Sequence, residues 1–321
     1  MIATAMRRST EAAMALPRRV LLASAAAGCA PRVVPAGPPI GPARDAGDAL
    51  VMHDGARLPL SAWVPEGAPR GVVLALHGFN DYRRAFEIPA PLFTAAGWAL
   101  YAYDQRGFGE APARGLWPGH ATLAADAAAA AALIRARHPG LRLILLGESM
   151  GGAVLILAAT GDAPPEADGY VLSAPAVWGG ETLGRTGRWF LDLFANTVPA
   201  LGIVGGSPMI RASDNEAALA AMARDPLVLR STRIDALHGL VGLMDAALAA
   251  AQHFDRRALI LYGDRDDIVP ARAIAALKAR LPGLALGRQA FIGYREGYHL
   301  LLRDGVRTRV VADILAWAGG L

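Results

Sequence analysis

Residues 141–159 read LRLILLGESMGGAVLILAA, and this stretch decides the fold. The apolar run 141–146 has the length of a buried strand, and residues 153–159 are compatible with a helix. Between them, Gly147, Ser149 and Gly151 mark a turn so sharp that a bulky residue two positions before or after the serine would clash. Gly152 tightens the contact further. The spacing predicts strand, bend and helix in that order, with Ser149 at the bend.

Outward from this turn the same alternation recurs. Short apolar runs at 71–76, 98–103, 170–173, 258–262 and around 289–292 are separated by longer helix-compatible stretches. Such alternation predicts an α/β fold whose mostly parallel sheet is covered by helices on both faces. Residues 122–137 are dominated by alanine and stop at His138 and Pro139, and a later helix opens at Pro270 and ends before Pro282 and Gly283. Asp54 and Gly55, flanked by apolar runs within 50–64, suit a tight hairpin turn. Between 176 and 255 the alternation stops: Gly-rich loops and helical segments at 185–195, 215–223 and 237–251 appear, with no convincing strand. An insertion of this size reads as a helical lid over the carboxyl edge of the sheet.

A serine hydroxyl is a weak nucleophile unless a base removes its proton and a carboxylate holds that base in one tautomer. Ser149 is the candidate nucleophile. Of seven histidines, only His299 lies beyond the candidate acids and the last strands, so it is read as the base. His53, His120, His138, His238 and His253 are read as surface or lid residues, and His77 as support for its own loop. For the acid, Asp264, Asp266 and Asp267 compete in the loop after strand 258–262. Asp266 is preferred, and the other two are read as loop-capping or solvated charges. An oxyanion needs two backbone donors, each worth ~10²–10³ in turnover. The amides of Met150, which follows the nucleophile, and of Phe79, in the loop after strand 71–76, are the candidates.

Composition narrows the class. The chain has 321 residues, 54% of them hydrophobic and 19% charged, which excludes a disordered protein. No repeat is visible, and the 36 glycines and 22 prolines follow no fixed period. Of the formal charge of +4, residues 1–28 supply +3, through Arg7, Arg8, Arg18 and Arg19 against Glu11. The body of the chain lacks basic blocks interleaved with aromatics, so no nucleic-acid partner is expected. A single cysteine, Cys29, excludes an intrachain disulfide and a thiolate zinc cluster, and neither a metal nor a cofactor is expected.

The position of that cysteine is informative. From Met14 the chain runs MALPRRVLLASAAAGCA, a basic pair followed by an apolar run and small residues, as in an export signal. The tetrad Ala26, Ala27, Gly28, Cys29 resembles the bacterial lipobox, which implies acylation of the Cys29 thiol, a membrane partner through that lipid anchor, and residence in the cell envelope facing the periplasm. Residues 1–28 are accordingly read as a signal peptide of lipoprotein type. Residues 29–49, rich in Pro, Gly and Ala, are read as a flexible tether, and 50–321 as one domain carrying the lid at about 176–255.

The ordered motifs HGFND, YDQRGFG, GESMGG, LYGDRDDIVP and GYHLLLRD resemble the α/β-hydrolase family, and within it the monoacylglycerol lipase and lysophospholipase-like group, also called the serine aminopeptidase S33-type hydrolases. The resemblance covers residues 50–321. It implies Ser149 as nucleophile, Asp266 as acid, His299 as base, and Phe79 and Met150 as oxyanion donors. It also implies a mobile lid and a small-molecule acyl ester as substrate. In YDQRGFG, Asp104 and Arg106 are expected to hold the loop beside the elbow. The lid matches weakly, through Ser213, Asp214 and Asn215 and through Asp225, Pro226 and Leu227. Its apolar residues Trp178, Trp189, Phe190, Phe194, Leu240, Leu243 and Met244 either line an acyl-chain tunnel or form the lid's own core. Acyl transfer or peptide cleavage by the same triad, and a catalytically silent binding lipoprotein on the same scaffold, are the alternative readings.

Overall fold

A computed structural model describes residues 30–204 and 210–321. The export-signal reading and Cys29 lie outside the described residues. Nine strands form one twisted sheet in the order β1-β2-β3-β5-β4-β6-β7-β10-β11. They are β1 (Arg44–Asp45), β2 (Ala49–Val51), β3 (Arg57–Trp63), β4 (Gly71–Leu76), β5 (Trp98–Tyr103), β6 (Leu143–Glu148), β7 (Gly169–Ser173), β10 (Ala258–Gly263) and β11 (Gln289–Tyr294). From β5 to β11 every pairing is parallel, and β1, β2 and β3 add an antiparallel edge. The expected hairpin joins β2 to β3 through Gly55, whose φ of 81° only glycine adopts readily.

Parallel strands buried on both faces read as unbroken apolar runs because alternate residues enter different cores. In β4, Val72, Leu74 and Leu76 join the larger core while Val73 and Ala75 join the core on the other face. In β10, Ile260 and Tyr262 face one way and Leu259 and Leu261 the other. Helices His120–Arg137, Met150–Thr160 and Ala271–Arg280 cover the first face, and Ala90–Ala95 and Arg307–Gly319 the second.

The lid carries helices Gly180–Ala195, Glu216–Arg224 and Ile234–Ala250, the first interrupted at Gly184, where φ is 69° and ψ is 165°. It also carries a two-stranded ribbon absent from the sequence reading: β8 (Gly202–Val204) pairs antiparallel with β9 (Ser231–Arg233). Strands of three residues with β8 fully exposed are too short to show a period of two. Helix Ile234–Ala250 continues into a turn that ends at His253, and this segment is long and apolar enough to cross a membrane. It packs against the Met150–Thr160 helix through a buried face that includes Leu243 and Ala247.

The stretch read as a tether is seated on the domain instead. Val34 N–H donates to the Trp117 carbonyl at 2.8 Å, Ile40 N–H to the His53 carbonyl at 2.8 Å, and β1 pairs with β2. Arg32 N–H donates to Asp235 Oδ2 at 3.2 Å, and Gly37 N–H to Asp54 Oδ2 at 2.9 Å. Composition identified a segment with little to bury, and Ile40 is indeed 79% exposed. Its backbone donors nevertheless find acceptors brought close by distant parts of the fold, which composition does not reveal. The folded unit therefore begins near Arg32.

Candidate active site

The central strand β6 ends at Glu148, and Ser149 sits at the bend before helix Met150–Thr160 with φ 53° and ψ −113°. A non-glycine residue in this region is strained and is held there by its surroundings. A Cβ on Gly147 would lie 2.4 Å from Gly151 C, and one on Gly151 would lie 2.2 Å from the Leu76 carbonyl oxygen. The glycine spacing thus reflects two backbone crossings that leave no room for a methyl group.

His299 follows β11 and is 3% exposed. Its Nδ1 lies 2.8 Å from Asp266 Oδ2, and the other carboxylate oxygen of Asp266 accepts from the amides of Ile268 and Val269, each at 2.8 Å. Asp266 is thereby held by three contacts at the end of β10. Asp264 and Asp267 are exposed, and Asp267 accepts from Arg211 N–H at 3.2 Å. Met150 opens its helix, so its amide is one of the first N–H groups that have no acceptor within a helix. Phe79 stands in the turn after β4, and a Cβ on its neighbour Gly78 would lie 3.4 Å from Ser149 Cβ. Three of the five sequence-selected residues, Phe79, Ser149 and His299, line one place. Met150 is buried directly behind Ser149 as the next residue in the chain, and Asp266 reaches the site through His299.

That place is a cavity of about 530 Å³ whose lining includes Phe79, Ser149 and His299. Its apolar wall includes Trp178, Leu191, Leu240, Met244 and Ile268. The seven lid residues singled out in the sequence divide three ways. Trp178, Leu240 and Met244 line the cavity, Leu243 is fully buried in the core, and Trp189, Phe190 and Phe194 point outward at 58%, 48% and 45% exposure.

The loops behind the cavity are tied by polar contacts. Gln105 N–H donates to His77 Nε2 at 3.0 Å, so His77 Nδ1 carries the proton and donates to the Gly78 carbonyl at 2.8 Å. Burial holds His77 below its ordinary pKa, in keeping with a neutral ring. Arg106 makes ion pairs with Asp54 and Asp126, and Asp104 accepts from the Arg83 and Glu110 amides. Both residues of the YDQRGFG motif thus hold loops.

Sequence reasoning missed one feature. Asp81, Glu148 and Arg303 form a buried charge cluster at the polar side of the same cavity. All three stand inside recognised motifs, but nothing in a linear chain joins residues separated by 155 and 222 positions.

A parallel sheet flanked by helices, a glycine-framed serine elbow after its central strand, and a buried histidine–carboxylate pair under a helical lid define an α/β-hydrolase. A family model described as serine aminopeptidase, S33, matches residues 67–305, and the chain belongs to that family. It is 26% identical over 275 residues to a monoacylglycerol lipase of Mycolicibacterium smegmatis, covering 82% of this chain and 93% of the relative. It is 27% identical over 186 residues to the monoglyceride lipase of Homo sapiens, covering 57% of this chain and 60% of the relative. Among solved structures, a soluble variant of the Saccharomyces cerevisiae monoglyceride lipase with a substrate analogue aligns with a TM-score of 0.67 at 21% identity, covering 90% of this chain and 97% of that one. The Paleococcus ferrophilus monoacylglycerol lipase aligns at 0.64 and 22% identity, covering 81% and 98%.

Proposed function

We propose that this chain hydrolyses monoacylglycerol or lysophospholipid-type esters through a Ser149–His299–Asp266 triad and an acyl-enzyme. It is a carboxylic ester hydrolase, and the finer reading rests on one observation: Ser149 and the Asp266-bound His299 share the wall of a mainly apolar cavity of about 530 Å³. His299 Nδ1–H donates to Asp266, which leaves Nε2 as the basic nitrogen. Nε2 accepts the Ser149 proton as Oγ attacks the ester carbonyl, and the amides of Phe79 and Met150 receive the oxyanion. His299 then returns the proton to the departing alcohol, and water repeats the sequence to release the fatty acid. The apolar lid wall suits the acyl chain.

Hydrolysis of a panel of monoacylglycerols, lysophospholipids and short p-nitrophenyl esters by the intact chain tests the reading. Turnover of the panel that disappears in Ser149→Ala is the expected outcome. Activity retained in that variant overturns the nucleophile assignment, and loss of activity on adding EDTA would reveal a metal requirement.

We further propose, from the lipobox-like tetrad at residues 26–29, that the enzyme resides in the bacterial envelope, anchored through acylated Cys29. Two features support it. The exposed lid residues Trp189, Phe190, Phe194, Leu201 and Ile203 offer an apolar surface. The start of the described chain is held to the lid, since Arg32 N–H donates to Asp235, whose own amide donates to the Pro199 carbonyl.

A further inference from the structure

Three groups of the proposed site, one oxyanion donor, the nucleophile and the base, sit on three separate loops. Phe79 follows β4, Ser149 follows β6, and His299 follows β11. Sheet pairing fixes β4 beside β6, but the loop after β11 leaves the sheet at a strand that pairs with neither, so contacts between the loops help to set the spacing of the reactive atoms. One side chain reaches all three loops. Arg303, four residues after His299, donates from Nη1 to Asp81 Oδ2 at 2.6 Å and from Nη2 to Glu148 Oε1 at 2.5 Å. Asp81 lies two residues after Phe79, and Glu148 immediately precedes Ser149. All three charged residues are at least 95% buried.

We propose that Arg303 is a positioning residue that ties the oxyanion loop, the nucleophile elbow and the histidine loop into one reactive geometry. The inference rests on the ester-hydrolase reading above. Stability alone does not account for the cluster, because burying an ion pair costs desolvation that apolar side chains of equal volume avoid. Two carboxylates share one guanidinium, and that arrangement is suited to geometry. A planar fork can hold acceptors on two different loops at once, whereas a lysine ammonium acts as one point charge. The loop is also braced from the lid side: Asn215 Nδ2 donates to the Arg303 carbonyl at 2.8 Å. Burial works against the charge of Arg303, but Asp81 and Glu148 more than offset it and hold its pKa above the ordinary value.

The test compares Arg303→Lys and Arg303→Ala with wild type in the full-length protein, on a soluble p-nitrophenyl ester, with active sites counted by a fluorophosphonate. The expected result is a fall in kcat per titrated site of roughly 10²-fold, the scale of an ångström-sized misplacement, with KM within about threefold. Guanidinium ion at millimolar concentration should restore part of kcat in Arg303→Ala, and methylammonium should not. Should Arg303→Ala fail to fold, Glu148→Gln and Asp81→Asn each remove one leg of the tie, and each should lower kcat per site with little change in KM. Wild-type kcat per site in Arg303→Lys and in the two carboxylate variants would overturn the proposal. So would a loss explained wholly by fewer titratable sites. A wild-type chain that neither turns over the ester nor reacts with the fluorophosphonate would overturn the hydrolase reading itself.

Discussion

At Gly151 the requirement for glycine comes from the neighbouring strand, since the position of a Cβ lies 2.2 Å from the carbonyl oxygen of Leu76. Gly151→Ala must push β4 and the elbow apart, and overpacking of this kind costs about 1–3 kcal/mol. Urea unfolding should show that loss together with reduced turnover; an unchanged midpoint would mean that the elbow relaxes freely. If the proposed triad acts as a unit, Ser149→Ala and His299→Ala should each lower kcat by about 10⁴-fold or more without altering the fold. His299 and Asp266 were legible as candidates because loop position and chain order single them out. The preference for Asp266 over Asp264 and Asp267 came from its loop position and the motif resemblance, whereas its physical ground, that of the three only Asp266 is buried, lies in the tertiary structure.

Among the elements, the lid helix Gly180–Ala195 is the most divided. Gly187 and Leu191 line the cavity, while Trp189, Phe190, Leu193 and Phe194 are exposed, with Trp189 and Phe190 ring centroids 4.9 Å apart. Its helical period was readable in the sequence, but the direction of each face was not. Its apolar residues form one arc too wide for the cavity wall alone, and the pattern gives no sign of which part of that arc meets the protein. The double variant Trp189→Ser, Phe190→Ser should weaken sedimentation with lipid vesicles several-fold and leave kcat/KM on a soluble short ester unchanged. Equal sedimentation would remove the outward face from the membrane reading. On the inner side, Leu240→Trp should reduce turnover of long-chain monoacylglycerols more than that of a butyrate ester, measured as the ratio of kcat/KM values.

The whole molecule is joined at its amino-terminal side by Asp54. It accepts from Gly37 N–H in the leading segment and from both terminal nitrogens of Arg106, at 2.7 and 2.8 Å, and Arg106 in turn holds Asp126 of helix His120–Arg137. The hydrogen bonds from Arg106 hold the Asp54 carboxyl well below the ordinary carboxylate range. A carboxylate with a depressed folded pKa stabilises the protein above its unfolded pKa of about 4 and ceases to do so as pH falls through the folded value. The difference in thermal midpoint between wild type and Asp54→Asn should therefore be larger at pH 7 than at pH 3, and equal differences would argue against the linkage. At the same scale, Cys29→Ala should move the protein from the membrane pellet to the soluble fraction, and unchanged fractionation would count against acylation.

Local regularities determined what the sequence could declare by itself. Unbroken apolar runs announced buried parallel strands, and glycine spacing announced the elbow, because each depends on contacts between residues close in the chain or on one repeating period. The inward turn of Asp266, the sorting of the lid aromatics, the seating of residues 32–46 and the clasp of Arg303 on two carboxylates were decided only in three dimensions. Each depends on groups far apart in the chain, which folding alone brings within hydrogen-bonding or van der Waals reach.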